Sequence, residues 1–577
     1  MINPKIFIPM KRFLLFTLTS LSFSLSSCSD NGIQLVPEKN DKVQIAVDPN
    51  NFSFKHPGIV HTDDDFARMK RVIEAREYPG YGSYESLKES ALASSNYTMN
   101  GPFEYISARN EGVWTDNRSK VTNDFNAAVQ NAIMWKLTGE VAHAEKAKEI
   151  LLAYAGTLKI IPDIQDCALN TSLAFSPAYA AEILKYSYSN GITGEDIQKI
   201  GKMLSEVFVA TMEKTFYSVA PYSNGNWGAS VNKGYMACAI FLDDVKRFNR
   251  ALDYYLNGHD NGTITNYIDH TTGQCQESGR DQAHPAFGLG CMAATCEMAY
   301  KQGIDLYELF DNALLKGFEY MAQYNWGYEV PFKTWTDVTG KYCSWNVIST
   351  ANRAQIKPIF ENVYNHYVIR KGLKMPYTEE VLKELRPESD KNNGGEHLGY
   401  GSLLFYEGGA LTPSENKNGL IDDVFDKSLK GWASETAGAS AVVEDGKMVI
   451  SMSLSSGAYR GDFARYIATL HAGKYPILAI KISSDLGLND KGVPYTCTFE
   501  TEKGNFGNNY YVCSGKIGDV QYYDLREKPF GKDFMVPTDK PWSTRIRFKM
   551  PGLSVPAYTV DWIKTFSSLD ELKNYLK

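Results

Sequence analysis

Residues 193–207 read TGEDIQKIGKMLSEV, and this stretch decides the fold class of the longer part of the chain. Thr193 with Asp196 makes an approximate capping box, and Ile197, Ile200, Leu204 and Val207 recur at three- and four-residue intervals. That spacing predicts a helix with one apolar stripe turned inward. The period repeats upstream at Phe125, Val129, Ala132 and Ile133, and again at Ala144, Ala147, Ile150, Leu151 and Tyr154. Gly191 and Gly303 stand where helices take left-handed terminators. Residues 51–408 therefore read as antiparallel helix pairs in series, and periodicity alone leaves both a closed α/α toroid and an open solenoid available.

The period falls to two after Gly409. Residues 409–421 are rich in Pro, Ser, Asn and Gly and read as a linker. Beyond it Met448, Ile450 and Met452 alternate after the Asp445-Gly446 turn, as do Ile546, Phe548 and Met550, while Ile477–Ile482 and Tyr558–Ile563 form further strand-like runs. About eight short strands are expected over 422–577, a β-sandwich closed by a short helix that starts at the Ser568–Glu571 capping box. No carboxylate pair stands out there, so the region reads as a non-catalytic module, either carbohydrate-binding or a structural buttress. The chain is thus multi-domain, α plus β.

With 577 residues, 43% hydrophobic and 22% charged, general disorder is excluded. The formal charge of −7 argues against a nucleic-acid partner, so any anionic ligand must be met by local Arg, Lys or His. The 36 Tyr and 9 Trp suit both cores and carbohydrate clefts. Lys11 and Arg12 precede the apolar run Phe13–Leu25, which ends in Leu25-Ser26-Ser27-Cys28 and resembles a bacterial lipobox. The expectation is a lipoprotein signal peptide over 1–28, a polar tether over 29–50, and a lipid anchor at Cys28 that holds the exported chain on a membrane, with the outer membrane as its place. The other cysteines show no CxxC or zinc-like spacing, so no structural metal is expected. Cys497 and Cys513, flanking a predicted hairpin turn, are the best disulfide candidates.

Two segments of the helical region have unusual composition. The first, 222–228, is YSNGNWG, with amides, an indole and glycines that read as a loop able to approach a ligand. The second, 273–284, is GQCQESGRDQAH. If its end is helical, Arg280 and His284 share one face and Glu277 and Asp281 another. A structural reading stands beside it, with the two acids holding Arg280 in a network.

These residues, together with 56–62 (HPGIVHT) and 397–401 (HLGYG), resemble the alginate-lyase superfamily of bacterial polysaccharide lyases over about 51–408. The resemblance implies an incomplete α/α toroid and β-elimination on a uronic-acid polymer such as alginate, polymannuronate or glucuronan, with no cofactor. It places Asn226 and Arg280 near the substrate carboxylate, and a His and a Tyr as base and acid. His284 is the expected base. The tyrosine that better-known alginate lyases carry six or seven residues after the Arg is absent here, where Ala286 and Phe287 stand. Either the acid comes from another tyrosine, Tyr222 or Tyr235 nearest the amide loop or Tyr400 in the later motif, with Tyr222 preferred, or the substrate geometry differs from that of alginate. Trp227, Glu277, Gln282, Tyr235 and Tyr400 are expected substrate contacts, with Trp227 either stacking on a sugar or wedged between helices.

Two other readings remain at this level. One is a glycoside hydrolase on the same toroid using Glu277 and Asp281. The other is a surface glycan-binding lipoprotein without catalysis.

Overall fold

The computed structural model describes residues 33–35, 43–218, 225–409, 411–489, 491–502, 508–530 and 535–577. Cys28 and Tyr222 lie outside the described residues. From the N-terminus the helices used below are α1 (Asp63–Glu74), α2 (Arg118–Thr138), α3 (Val141–Thr157), α4 (Phe175–Ser187), α5 (Gly194–Met203), α6 (Gly225–Phe241), α7 (Val245–Asn257), α8 (Ala283–Lys301), α9 (Leu309–Asn325) and α11 (Pro376–Leu385), with α10 (Phe360–Tyr364) before the last.

The helices form two rings. α2, α4, α6 and α8 are buried around most of their circumference; in α6 every residue except Trp227 is buried. α5 and α7 bury one stripe only, in α7 Phe248, Ala251, Leu252 and Tyr254 to Leu256. A helix apolar all round belongs inside, and a striped one outside. Neighbouring inner helices run in the same direction. Asn126 of α2 meets Ser176 of α4, and nine residues further on Trp135 of α2 meets Ser187 of α4. The starts of the inner helices therefore gather at one end of the toroid, which carries their positive dipole ends.

Thr193 and Asp196 make the predicted capping box, and Ile200, Leu204 and Val207 are buried. Gly303 is left-handed at φ 89°, but Gly191 is not in that region. Gly191 is needed for space instead, because a Cβ there would lie 2.0 Å from the Tyr188 ring. The expected tether is shorter than 29–50. Ile45–Val47 forms a strand whose Val47 exchanges two 2.8 Å hydrogen bonds with the Asn249 side chain of α7, and Ile45 and Val47 are buried.

Strands run from Asp422 onward. One antiparallel sheet orders 515–517, 520–524, 477–482, 557–566, 447–451 and 440–444, with 422–424 also on 557–566; the facing sheet orders 508–511, 498–502, 542–549, 463–470 and 432–434. Met448, Ile450 and Ile480 of the first pack with Phe463, Phe499 and Phe548 of the second, which makes a sandwich. The strands outnumber the expected eight because several have three residues, too short to show a period. Cys497 and Cys513 are unbonded thiols. Ser568 caps the last helix, Leu569–Tyr575, as predicted. The sandwich is keyed to the toroid by buried Arg465, which pairs with Asp423 at 2.7 Å and with Glu384 of α11 at 3.0 Å. Among the described residues no helix is long and apolar enough to cross a membrane.

Candidate active site

Glu277 is fully buried, and a carboxylate survives burial only when its lone pairs are filled. Here they are. It accepts the Asn226 backbone N–H at 3.0 Å, the Asn226 Nδ2 at 2.7 and 2.8 Å, Arg280 Nη1 at 2.8 Å and the Tyr267 hydroxyl at 3.2 Å. Tyr267 reaches it through a gap left by two glycines: a Cβ on Gly288 would lie 2.2 Å from the hydroxyl, and one on Gly225 2.4 Å from the ring. Burial, and then the Glu277 charge, push the Tyr267 pKa well above that of a free phenol, so it stays a donor.

Residues 276–280 are turns, and α8 begins only at Ala283. The predicted sharing of faces therefore fails, and each base or cation is paired with the acid three residues before it. Arg280 sits on Glu277, and His284 on Asp281. Asp281 Oδ1 takes the Ala283 and His284 amide N–H groups at 2.9 Å each, while its Oδ2 lies 2.6 Å from His284 Nδ1. Burial would raise the Asp281 pKa, but the His284 hydrogen bonds and the Arg280 charge hold it below the usual carboxylate range. An ionised Asp281 assigns the proton to Nδ1, which leaves Nε2 as an acceptor on a side chain that is 32% exposed. The Tyr267 hydroxyl lies 3.1 Å from the His284 carbonyl and joins the two pairs.

Other predicted residues are placed differently. Asn226 lies in the first turn of α6 rather than in a loop, is 1% exposed, and its amide nitrogen is committed to Glu277. Trp227 is half-buried beside it. Gln282 is buried and donates to the Ser278 and Ser349 carbonyls, so it pins the 330–353 segment over this region. Tyr235 is fully buried, with its hydroxyl on Glu213 at 2.7 Å, about 13 Å along α6 from Asn226. Tyr400 is left-handed at φ 53° and buried. Neither tyrosine faces the site. The HPGIVHT motif is an anchor: His56 lies 2.8 Å from both Glu182 and Asp243, and Glu182 accepts the Gly58 and Ile59 amides.

Farther along α6 and α8 lies a cavity of about 240 Å³, lined by Arg118, Ser176, Lys233, Phe287, Glu396 and His397 among others. Phe287 is one turn beyond His284 on α8, and Lys233 two turns beyond Asn226 on α6, so the same helix faces form both. Lys233 touches the Glu396 carbonyl at 3.2 Å and lies 4.7 Å over the Phe175 ring. Among the described residues neither Lys233 nor Arg118 has a carboxylate within ion-pair reach, although Glu396 attracts Arg118 from farther away. Glu396 is itself taken by Lys357 at 3.3 Å. Burial, then Lys233 and Lys357, hold the His397 imidazole neutral, with its buried Nε2 unbonded. Sequence reading missed Tyr267, Arg118 and Lys233. Lys233 left a signal, being the one charged residue in the 17 of α6.

A family model described as alginate lyase matches residues 81–330, and another, described as a domain of unknown function (DUF4979), matches 419–572. Alginate lyase A1-III from Sphingomonas species A1 aligns at 14% identity over 61% of this chain and 100% of its own, with a TM-score of 0.43. An alginate lyase from Bacteroides ovatus aligns at 14% over 57% and 98%, TM-score 0.38. A chondroitin AC lyase mutant from Streptomyces coelicolor A3 aligns at 9% over 89% and 84%, TM-score 0.36. Among curated proteins none matches the sequence. The chain folds as a helical domain followed by antiparallel sheets. The alginate lyase model thus matches a stretch of the helical domain, residues 81–330, which is less than half of the chain.

Proposed function

We propose that this lyase cleaves a uronic-acid polymer of the alginate, polymannuronate or glucuronan type by β-elimination, on the outside of a membrane to which Cys28 anchors it. The observation that carries the reading is the pair of acid-oriented groups, Glu277–Arg280 and Asp281–His284, with a cavity farther along the same helices whose Arg118 and Lys233 have, among the described residues, no carboxylate within ion-pair reach.

β-Elimination removes the proton on C5 beside the uronate carboxylate, forms the C4–C5 double bond, and expels the oxygen on C4. The carboxylate must be neutralised before C5 becomes acidic. Arg280, aimed by Glu277, does this, and Asn226 acts one step back by fixing Glu277. The charges support an anion: Arg280 cancels Glu277, and Arg118 and Lys233 outweigh the single charge of Asp281, which leaves the cleft positive within a chain of net charge −7. Helix starts add to that potential. His284 Nε2 takes the C5 proton, and Asp281 stabilises the imidazolium that results. Tyr222, three residues before α6 in the chain, is the proposed donor to the leaving oxygen.

A hydrolase using Glu277 and Asp281 is disfavoured on geometry. Glu277 is sealed and fully bonded, and Asp281 is occupied by His284 and the first amides of α8. A screen of uronate polymers followed by ultraviolet absorbance tests the reading. The new absorbance of unsaturated ends is expected, and its loss in His284→Ala. New reducing ends without that absorbance would overturn it.

A further inference from the structure

A second cavity, about 910 Å³, opens between the toroid and the sandwich. Lys391 and Asn392 come to it from the helical domain, Lys417 from the connecting segment, and Tyr466, Trp542 and Arg545 from the sandwich. Its acids are already answered. Glu384 is bonded by Arg465 at 3.0 Å and by Asn416 at 2.6 Å, and Glu502 faces Arg545 at 3.6 Å. Its two lysines are not. Among the described residues neither Lys391 nor Lys417 has a carboxylate within ion-pair reach. Burial, and the nearness of Lys391, bring the Lys417 pKa down to about 8 against the pull of Glu384. Lys391 is exposed at the cavity and Lys417 half-buried in it, and their nearest carboxylates, Glu502 and Glu384, are each held by an arginine, so the two ammonium groups form a site for an anion.

This cleft adjoins the cavity of the toroid. Residues 389, 391 and 392 wall the interdomain cavity, and 394–397 wall the toroid cavity lined by Lys233 and Phe287. One strip of backbone separates them, and from Asn392 to Glu396 the chain can span no more than about 14 Å. Half-buried Tyr466 and Trp542 add ring surface beside the lysines. The Tyr466 hydroxyl is fixed by Glu435 at 2.6 Å and Gln355 at 3.2 Å, so its ring is presented rigidly across the domain boundary.

We propose that the interdomain cleft is a second binding site for the acidic polysaccharide, in which Lys391 and Lys417 meet carboxylates of the polymer as it leaves the catalytic cleft. The site is built by both domains, which gives the sandwich a part in substrate binding without catalysis. The proposal rests on the lyase reading above.

The test uses the full chain and the polymer that gives the strongest ultraviolet signal, beside the shortest oligosaccharide of it that is cleaved. In a Lys391→Ala, Lys417→Ala double variant, KM for polymer should rise about tenfold, while kcat on polymer and kcat/KM on the short substrate stay within about twofold. The Lys391→Arg, Lys417→Arg variant should restore polymer KM, which separates charge from folding. An unchanged polymer KM, or an equal loss on long and short substrates, overturns the proposal. If the wild type cleaves nothing, affinity electrophoresis in alginate gels still decides it: retardation that the double Ala variant loses supports the site, and equal retardation removes it.

Discussion

Asp281→Asn isolates the part of the site on which turnover depends. The carboxylate has two duties, accepting the Ala283 and His284 amides through Oδ1 and the His284 Nδ1 proton through Oδ2. An asparagine keeps the first, because its carbonyl accepts the helix-start amides about as well, so folding stability should fall by less than about 1 kcal/mol. It reverses the second. The NH₂ group then faces Nδ1, which must become the acceptor, and the proton moves to Nε2, where the C5 proton has to go. Removing a general base costs on the order of 10²–10⁴ in rate, about 3–5 kcal/mol of transition-state stabilisation. The assay is kcat/KM from ultraviolet absorbance on the preferred polymer, with thermal unfolding as the control. A fall of at least about 100-fold with an unchanged melting temperature is expected. An Asp281→Asn variant that keeps more than about a third of wild-type kcat/KM would refute the tautomer argument and take His284 out of the proton transfer.

Glu277→Gln should act mainly on stability, because the amide turns a donor toward Asn226 Nδ2 or Arg280 inside a sealed site. A loss of about 2–4 kcal/mol in chemical denaturation is expected, and one below about 1 kcal/mol would show that Glu277 is not the hub. Arg118→Gln should lower kcat/KM on polymer about 10- to 100-fold through KM, without shifting the melting temperature; an unchanged KM would leave Arg118 out of substrate binding. The Lys417 site predicts a pH effect of definite sign. Its folded pKa of about 8 lies below that of a free lysine, so between these values the ammonium is lost only in the folded state. With Glu384 and Lys391 facing it, retardation in alginate gels should weaken as pH rises through about 8 in the wild type and stay flat in Lys417→Ala. Equal slopes in the two would contradict the assignment.

Much of this architecture was legible in the sequence because it rests on local rules. The Thr193–Asp196 box and its stripe needed only helical spacing, and the change of period after Gly409 separated sandwich from toroid. The site was legible as a neighbourhood and illegible as a set of contacts. The 277–284 segment held the right groups, but a helix was assumed where turns run, so the pairing was reversed from Arg280 with His284 to each with its own acid. Tyr235 is suggested by closeness along the chain, which a helix converts into distance, and Tyr400 by its motif, which the fold buries in the core. Tyr267 could not be found that way, because its position depends on gaps at Gly225 and Gly288, and nothing in the sequence says which ring fills a missing Cβ.

Mass spectrometry of the ends made on a defined uronate oligomer tests the central claim most directly. If Arg280 neutralises the carboxylate and His284 takes the C5 proton, the non-reducing fragment end carries an unsaturated ring, lighter by one water than a hydrolysis product, and labelled water contributes no oxygen to it. A saturated non-reducing end, with labelled oxygen taken up at C1 of the new reducing end, would contradict the account.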